Sequence, residues 1–279
     1  PRDGKTYIGT TDTDYHGDLV HPRMTKADRD YLIDCVNFMF PSVKLTAADI
    51  ESSWAGVRPL IHEEGKDPSE ISRKDEVFVS PSGLLTIAGG KLTGYRKMAE
   101  KVVDMVARDL AEDGRRFGPC TTDKIPYSGG DFGGSDKMSA FLEDRVQRGV
   151  ELGLAEADAR RLARRYGTNV DLVFNLLASG RDRAEAYGLR PDVYAELEYG
   201  LRHEMVVTPS DFFIRRTGAL YFDIDWVREN QDAVIRYMAA ACGWSEEETE
   251  RHARELQARV LEATTVEEDI PASGNLVGA

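Results

Sequence analysis

A break in periodicity divides this chain. Between residues 113 and 135, glycine and proline recur at Gly114, Gly118-Pro119, Pro126, Gly129-Gly130 and Gly133-Gly134, and little regular spacing survives. Up to residue 112 the pattern alternates between strand-like and helix-like runs. From residue 136 to 265 it is helical almost throughout. The sequence therefore reads as an α/β part with a mixed sheet (1–112), a linker (113–135), an all-α part (136–265) and a loose tail (266–279). A chain of 279 residues has room for one large domain or two ordinary ones.

Within the first part, the stretch from Gly83 to Glu100 is the most informative. A short apolar run, Leu84-Leu85-Thr86-Ile87-Ala88, leads into Gly89-Gly90-Lys91, and a helix is expected to follow. Its apolar residues recur at Leu92, Tyr95, Met98, Val102, Val106 and Leu110, the spacing of one helical face. Gly89 and Gly90 remove side chains where the strand turns into the helix, so a ligand can approach the backbone. The unpaired N–H groups of a helix start favour negative charge, and Lys91 adds a full positive charge there. The motif GxxxxGK[ST] is absent, so this is no P-loop. Read without other context, it serves equally well as a tight turn before a packing helix.

The neighbouring segments fill in the first part. Thr6 to Thr11 alternates like a strand. Residues Thr25 to Phe40 carry Tyr31, Leu32, Cys35, Val36 and Met39 on one helical side, and Pro41 stops them. Ile50 to Leu60 reads as a strand ending near Pro59, and Val77 to Ala88 as a hairpin turning at Pro81-Ser82-Gly83. In the second part, Asn169 is a candidate cap for a helix bearing Val170, Val173, Leu176 and Leu177. Pro191 suits the first turn of a helix whose face is Val193, Leu197, Leu201 and Met205. Thr208-Pro209-Ser210-Asp211 is a capping box, Trp226 to Ala241 is a long helix stopped by Gly243, and Ser245 caps the last one. Leu176, Leu197, Leu201, Val234 and Leu256 are the expected core.

Composition excludes several functions. With 36 basic against 49 acidic residues, nucleic acid is not an expected partner. The imbalance is −4 through residue 112 and −9 beyond it, so the helical part suits packing or partner contact better than binding an anionic substrate. No apolar run approaches the roughly 20 residues that cross a bilayer. Cys35, Cys120 and Cys242 are far apart and odd in number, which fits a reducing compartment and no structural metal. No secretory signal is visible, and a chain that opens on Pro1 without Met reads as a piece of something longer.

Few residues stand out for chemistry. Arg58 sits where a strand is expected to end, and its guanidinium suits a phosphate or carboxylate. It would serve as well as a surface charge paired with Glu63 or Glu64. Arg73 has the same two readings. The five histidines form no HxxxH or HExxH pattern, and neither GxSxG nor GxGxxG occurs.

Several stretches together resemble the C-terminal half of the FAD-dependent glycerol-3-phosphate dehydrogenases. They are Tyr7-Ile8-Gly9-Thr10-Thr11-Asp12, Ala55-Gly56-Val57-Arg58-Pro59-Leu60, Ser72-Arg73, and Gly89-Gly90-Lys91-Leu92-Thr93-Gly94-Tyr95-Arg96-Lys97-Met98-Ala99-Glu100. Arg164-Arg165-Tyr166-Gly167-Thr168 and the run from Glu196-Leu197 to His203-Glu204 extend the likeness into the helical part. The resemblance implies part of an FAD-binding and substrate domain, followed by a helical cap domain. It implies oxidation of sn-glycerol 3-phosphate to dihydroxyacetone phosphate, with electrons passed to membrane quinone by a cytoplasmic enzyme peripheral to the inner face of the membrane. Arg58, Arg73 and Lys91 would face the substrate, and Gly89, Gly90, Lys91, Leu92 and Thr93 the flavin. The N-terminal half with its GxGxxG and the candidate catalytic base would lie outside this chain, so the chain is not expected to turn over alone.

Two other readings compete. A glycerophosphate oxidase, which uses oxygen, would carry a long insertion between the arginine segment and the glycine turn. The span from Arg58 to Gly89 leaves no room for one. The alternative is a non-catalytic helical interaction module on a truncated remnant. The resemblance leaves the oligomeric state open, a homo-oligomer included.

Overall fold

The computed structural model describes residues 2, 4–58 and 75–269. They fall into two compact units. One takes residues 1–11, 21–55 and 127–279, the other 12–20 and 56–126. The compact units thus do not follow the linear order of the chain, because residues 21–55 pack with the C-terminal helices.

In the larger unit, α1 (Lys26–Met39) starts at a reciprocal cap. The Thr25 hydroxyl accepts from the Asp28 amide at 3.1 Å and the Asp28 carboxylate accepts from the Thr25 amide at 3.2 Å. The helices of the second part are α3 (Met138–Glu151), α4 (Glu156–Tyr166), α5 (Val170–Ser179), α6 (Arg181–Ala186), α7 (Pro191–His203), α8 (Ala219–Phe222), α9 (Ile224–Cys242) and α10 (Glu246–Thr264). A π-helical turn, Asp211–Arg216, follows α7. The helices assemble two cores. Val193, Leu197, Phe212, Phe213, Val234, Tyr237, Met238 and Leu256 belong to one, and Leu162, Val170, Val173, Phe174 and Leu177 to the other. Leu197, Val234 and Leu256 are fully buried as expected, while Leu201 lies half-buried against their core and Leu176 half-buried against the other.

Most helix boundaries follow their local chemistry. The Thr208 amide donates to the Asp211 carboxylate at 2.9 Å and the Asp211 amide to the Thr208 hydroxyl at 3.1 Å, closing the expected capping box. Ser245 and Glu248 close another, and Gly243 ends α9 at φ +70°. Two expectations fail locally. Asn169 stands at the start of α5 but makes no side-chain cap: its backbone is already helical at φ −69°, and its side-chain NH2 donates to the Ser128 hydroxyl at 2.8 Å. Met205 is exposed at φ +56°, beyond the end of α7 at His203.

Neither early strand forms. Residues 6–11 and 51–58 have no regular structure, and the only paired strands among the described residues lie elsewhere. A strand needs a ladder partner for its backbone, and these groups are used otherwise. The Ser53 amide donates to Ala263 of α10 at 2.7 Å, and the Ser52 hydroxyl to the Tyr221 carbonyl at 2.6 Å. Trp54 packs on Tyr221 and Phe222 at 5.1 and 5.5 Å, with Tyr7 against Phe222 at 5.8 Å. The tail expected over 266–279 begins within a short turn at Glu267–Asp269, and the rest lies outside the described residues.

The linker enters the helical unit through a backbone clasp. Gly129 stands at φ +82° and Gly167 at φ +53°, and the Thr168 amide donates to the Gly129 carbonyl at 2.9 Å. A Cβ on Gly167 would land on that carbonyl oxygen, and a Cβ on Gly129 would lie 2.5 Å from the Tyr166 carbonyl.

Charge also organises this unit. Glu196 of α7 is completely buried, and its carboxylate accepts from Arg161 at 2.7 Å and Arg165 at 2.6 Å, both on α4, and from the Tyr166 hydroxyl at 3.2 Å. Asp192, one turn earlier, accepts from Arg161 at 3.0 Å and Arg190 at 2.9 Å. Burial alone would raise the Glu196 pKa, but Arg165 and Arg161 outweigh it and hold the carboxyl below its ordinary range. Its stabilising contribution is therefore present above the unfolded carboxyl pKa, about 4.3, and is lost as pH falls through the lower folded value. Glu196→Gln leaves two guanidiniums facing a neutral amide. It should lower unfolding free energy in urea at pH 7 by about 3 kcal/mol and flatten the loss of stability at acid pH. Equal urea midpoints for both proteins at pH 7 would reject this account.

Candidate functional site

The smaller unit holds a hairpin and one long helix. β1 (Asp75–Val79) and β2 (Leu85–Gly89) pair antiparallel, with Asp75 opposite Gly89, and α2 (Tyr95–Glu112) follows a short 3-10 turn, Leu92–Gly94. The hairpin and the strand–glycine–helix order are those expected from sequence. Lys101 of α2 donates to the Asp75 carboxylate at 3.0 Å, which ties the helix back to the first residue of β1. That hydrogen bond, joined by the lysine's charge, holds the Asp75 carboxyl below its ordinary pKa.

Gly89 and Gly90 both take positive φ, +78° and +82°. This is the left-handed region where glycine alone is unstrained. At Gly90 a Cβ would also meet the Met98 sulfur at 2.6 Å. The glycine pair therefore lets the chain reverse direction while α2 packs against the turn. The consequence for a ligand lies one step further on. Gly94 caps α2 without any side chain bonding to the first-turn amides, and no acidic residue lies in that turn. The Tyr95 amide donates to the Leu92 carbonyl of the preceding 3-10 turn; the positive end of the helix dipole is balanced by no acidic side chain, and the exposed Lys91 stands three residues before Gly94.

The apolar face expected along α2 is only partly covered. Met98, Val102 and Leu110 are half-buried, but Leu92 is 90% exposed, and Tyr95 and Val106 are exposed too. Within this unit, the hairpin is a two-stranded surface and is too small to cover the helix.

Arg58 lies in the same unit as Lys91. Its guanidinium Nη1 is 2.9 Å from the Asp12 carboxylate, a partner that sequence reasoning did not suggest. Glu63 and Glu64, the partners considered from sequence, and Arg73 lie outside the described residues. The larger unit has a separate depression of about 220 Å³ among Tyr127, Phe132, Phe141 and Arg164, distinct from the glycine turn. Among the described residues no cluster of metal-ligating side chains occurs, and no helix is long and apolar enough to cross a membrane.

Residues 1–96 match the family described as FAD dependent oxidoreductase, and residues 120–249 that described as the C-terminal domain of alpha-glycerophosphate oxidase. The aerobic glycerol-3-phosphate dehydrogenase of Bacillus subtilis (strain 168) is 54% identical over 264 residues, covering 94% of this chain and 48% of that protein. The chain belongs to the glycerol-3-phosphate dehydrogenase family of FAD-dependent oxidoreductases.

Other members agree with it. The aerobic glycerol-3-phosphate dehydrogenase of Staphylococcus aureus (strain USA300) is 50% identical over 264 residues, covering 94% of this chain and 47% of the relative. The crystal structure of the glycerol-3-phosphate dehydrogenase from Bacillus halodurans, solved with FAD, superposes with a TM-score of 0.87 at 49% identity, over 97% of this chain and 52% of that one. The chain therefore spans about half the length of the curated relatives it matches.

The glycine turn fits the cofactor of this family. FAD presents phosphate oxygens and ring carbonyl oxygens, and a side-chain-free reversal beside an uncapped helix start and a lysine is suited to such acceptors. If the turn depends on its left-handed backbone, Gly90→Ala should destabilise it by about 1–2 kcal/mol. Amide hydrogen exchange over Leu92 to Met98 should speed up accordingly. Exchange at the parental rate would mean that Gly90 is conformationally replaceable.

Proposed function

We propose that this chain supplies the substrate-facing arginines, the flavin-side glycine turn and the helical domain of an enzyme that oxidises sn-glycerol 3-phosphate to dihydroxyacetone phosphate. Electrons would leave to a membrane quinone. The observation that carries the reading is the Gly89-Gly90-Lys91 turn. It combines two positive-φ glycines, an uncapped helix start and a lysine in a chain 54% identical to an aerobic glycerol-3-phosphate dehydrogenase.

The roles follow from the side chains. Arg58 and Arg73 hold the phosphate or the hydroxyls of the substrate through charge-assisted hydrogen bonds. Lys91 faces both substrate and flavin, and Gly89, Gly90, Leu92 and Thr93 complete the turn on the flavin side. FAD, when bound, is the two-electron acceptor. Lys91 and the amides of the α2 start provide fixed positive potential where negative charge accumulates on the ring, which is electrostatic preorganisation. The proton acceptor for the substrate hydroxyl belongs to the part of the relatives' length that this chain does not span. Residues 1–112 then form part of the FAD and substrate domain, and 136–265 a helical cap. Contact with the inner face of the cytoplasmic membrane is part of the proposal, since quinone resides in the bilayer.

The oxygen-using alternative has one point in its favour, the oxidase named in the description matched by residues 120–249. The aerobic dehydrogenases, however, match across 94% of this chain, including the arginine and glycine-turn segments. A comparison of quinone analogue and oxygen as acceptors decides between them.

Two substitutions test the site in the FAD-loaded enzyme. Arg58→Ala should cost about 2–4 kcal/mol in kcat/KM for glycerol 3-phosphate while FAD content stays constant. Unchanged kinetics would remove Arg58 from the substrate site. Lys91→Met keeps the stem and removes the charge. It should lower the flavin potential by an amount equivalent to about 1.4 kcal/mol in a redox titration. If Lys91 is only a solvated charge at a helix start, where it opposes the dipole, the potential stays put and stability improves slightly.

A further inference from the structure

We propose that Asp12 is a positioning residue that pre-sets Arg58 for an anionic substrate. The inference rests on the reading of Arg58 as a substrate contact. Arg58 closes a stretch, residues 51–58, without regular structure, so no strand ladder or helix fixes its side chain from behind. An arginine in that setting carries large rotamer freedom, which a substrate would have to quench on binding. Asp12, in the same compact unit, places a carboxylate oxygen 2.9 Å from the Arg58 Nη1. A guanidinium offers five donors in a planar fork, so an edge held by a carboxylate leaves geometry for a second anion on another edge.

The carboxylate also repels that second anion, and the two effects have to be weighed. The Arg58 and Asp12 side chains are 37% and 50% exposed, so solvent and salt screen the repulsion. The contact that orders the arginine is a direct pair at 2.9 Å, which solvent and salt weaken less than the longer-range repulsion acting across the fork. Orientation therefore wins, and Asp12 assists binding instead of blocking it.

The test uses the FAD-loaded enzyme carrying Asp12→Asn, Asp12→Glu, Arg58→Ala and the Asp12→Asn/Arg58→Ala pair. KM and kcat are measured with glycerol 3-phosphate, and the inhibition constant with inorganic phosphate. Asp12→Asn should raise KM and the phosphate inhibition constant about fivefold each, with kcat nearly constant. FAD content and Tm should not change, and Asp12→Glu should recover most of the loss. On the Arg58→Ala background, Asp12→Asn should add nothing. An unchanged or lowered KM, additive losses in the pair, or a fall in FAD content or Tm would each overturn the positioning role. If Arg58→Ala itself leaves KM untouched, the substrate reading of Arg58 falls first and takes this inference with it. A normal Arg58→Ala effect beside a silent Asp12→Asn rejects Asp12 alone.

Discussion

The helical unit depends on a carboxylate placed where water cannot reach it. Glu196 is completely buried, and two guanidiniums and a phenol converge on it from α4. An ion in that position has either a full set of partners or a large desolvation penalty. Because Arg161, Arg165 and Tyr166 are at helical spacing on one element and Glu196 and Asp192 one turn apart on another, only one relative setting of α4 and α7 satisfies them all. The apolar residues around them tolerate small slides; the charges do not. Register in this unit is therefore set electrostatically and stabilised hydrophobically.

The smaller unit follows a different logic. Its helix is tied to its hairpin by Lys101 and Asp75 and by the close fit of Met98 at Gly90, but none of its α2 side chains is fully buried. It is built around what it presents: a reversed backbone, an open helix start and cationic side chains. Support on one side and a positive helix end on the other are what an electrostatically preorganised site requires.

What was legible in the sequence was local. The glycine reversal, α2, and the caps at Thr208 and Ser245 rest on residues no more than four positions apart, the hairpin on pairs no more than 14 apart, and each formed as expected. Residues 6–11 alternate like a strand and Ile50 to Leu60 reads as one that ends near Pro59, yet strand formation needs a neighbour that a local pattern cannot name. The Ser53 amide found its acceptor on α10 instead. Asn169 has the right chemistry for a cap, but its backbone is helical and its side chain reaches Ser128, 41 positions away. The same limit hid Asp12 beside Arg58, and it hid the Glu196 cluster, whose partners lie 30 to 35 positions apart. The substrate-side roles proposed for Arg58, Arg73 and Lys91 come from family resemblance, not from spacing.

The clasp between Gly129 and Gly167 has an evolutionary consequence. Gly167 is held to zero side-chain volume by the Gly129 carbonyl and Gly129 by the Tyr166 carbonyl, backbone atoms in both cases and not a side chain that could shrink in compensation. No single substitution at either position can be rescued by a change at the other, so the pair cannot drift by the paired exchanges through which cores usually diversify. Among diverging members of the family, these two positions should therefore change last in the helical part. Insertions and deletions should collect instead in the stretch just before Tyr127, where the backbone is bound to nothing so unforgiving.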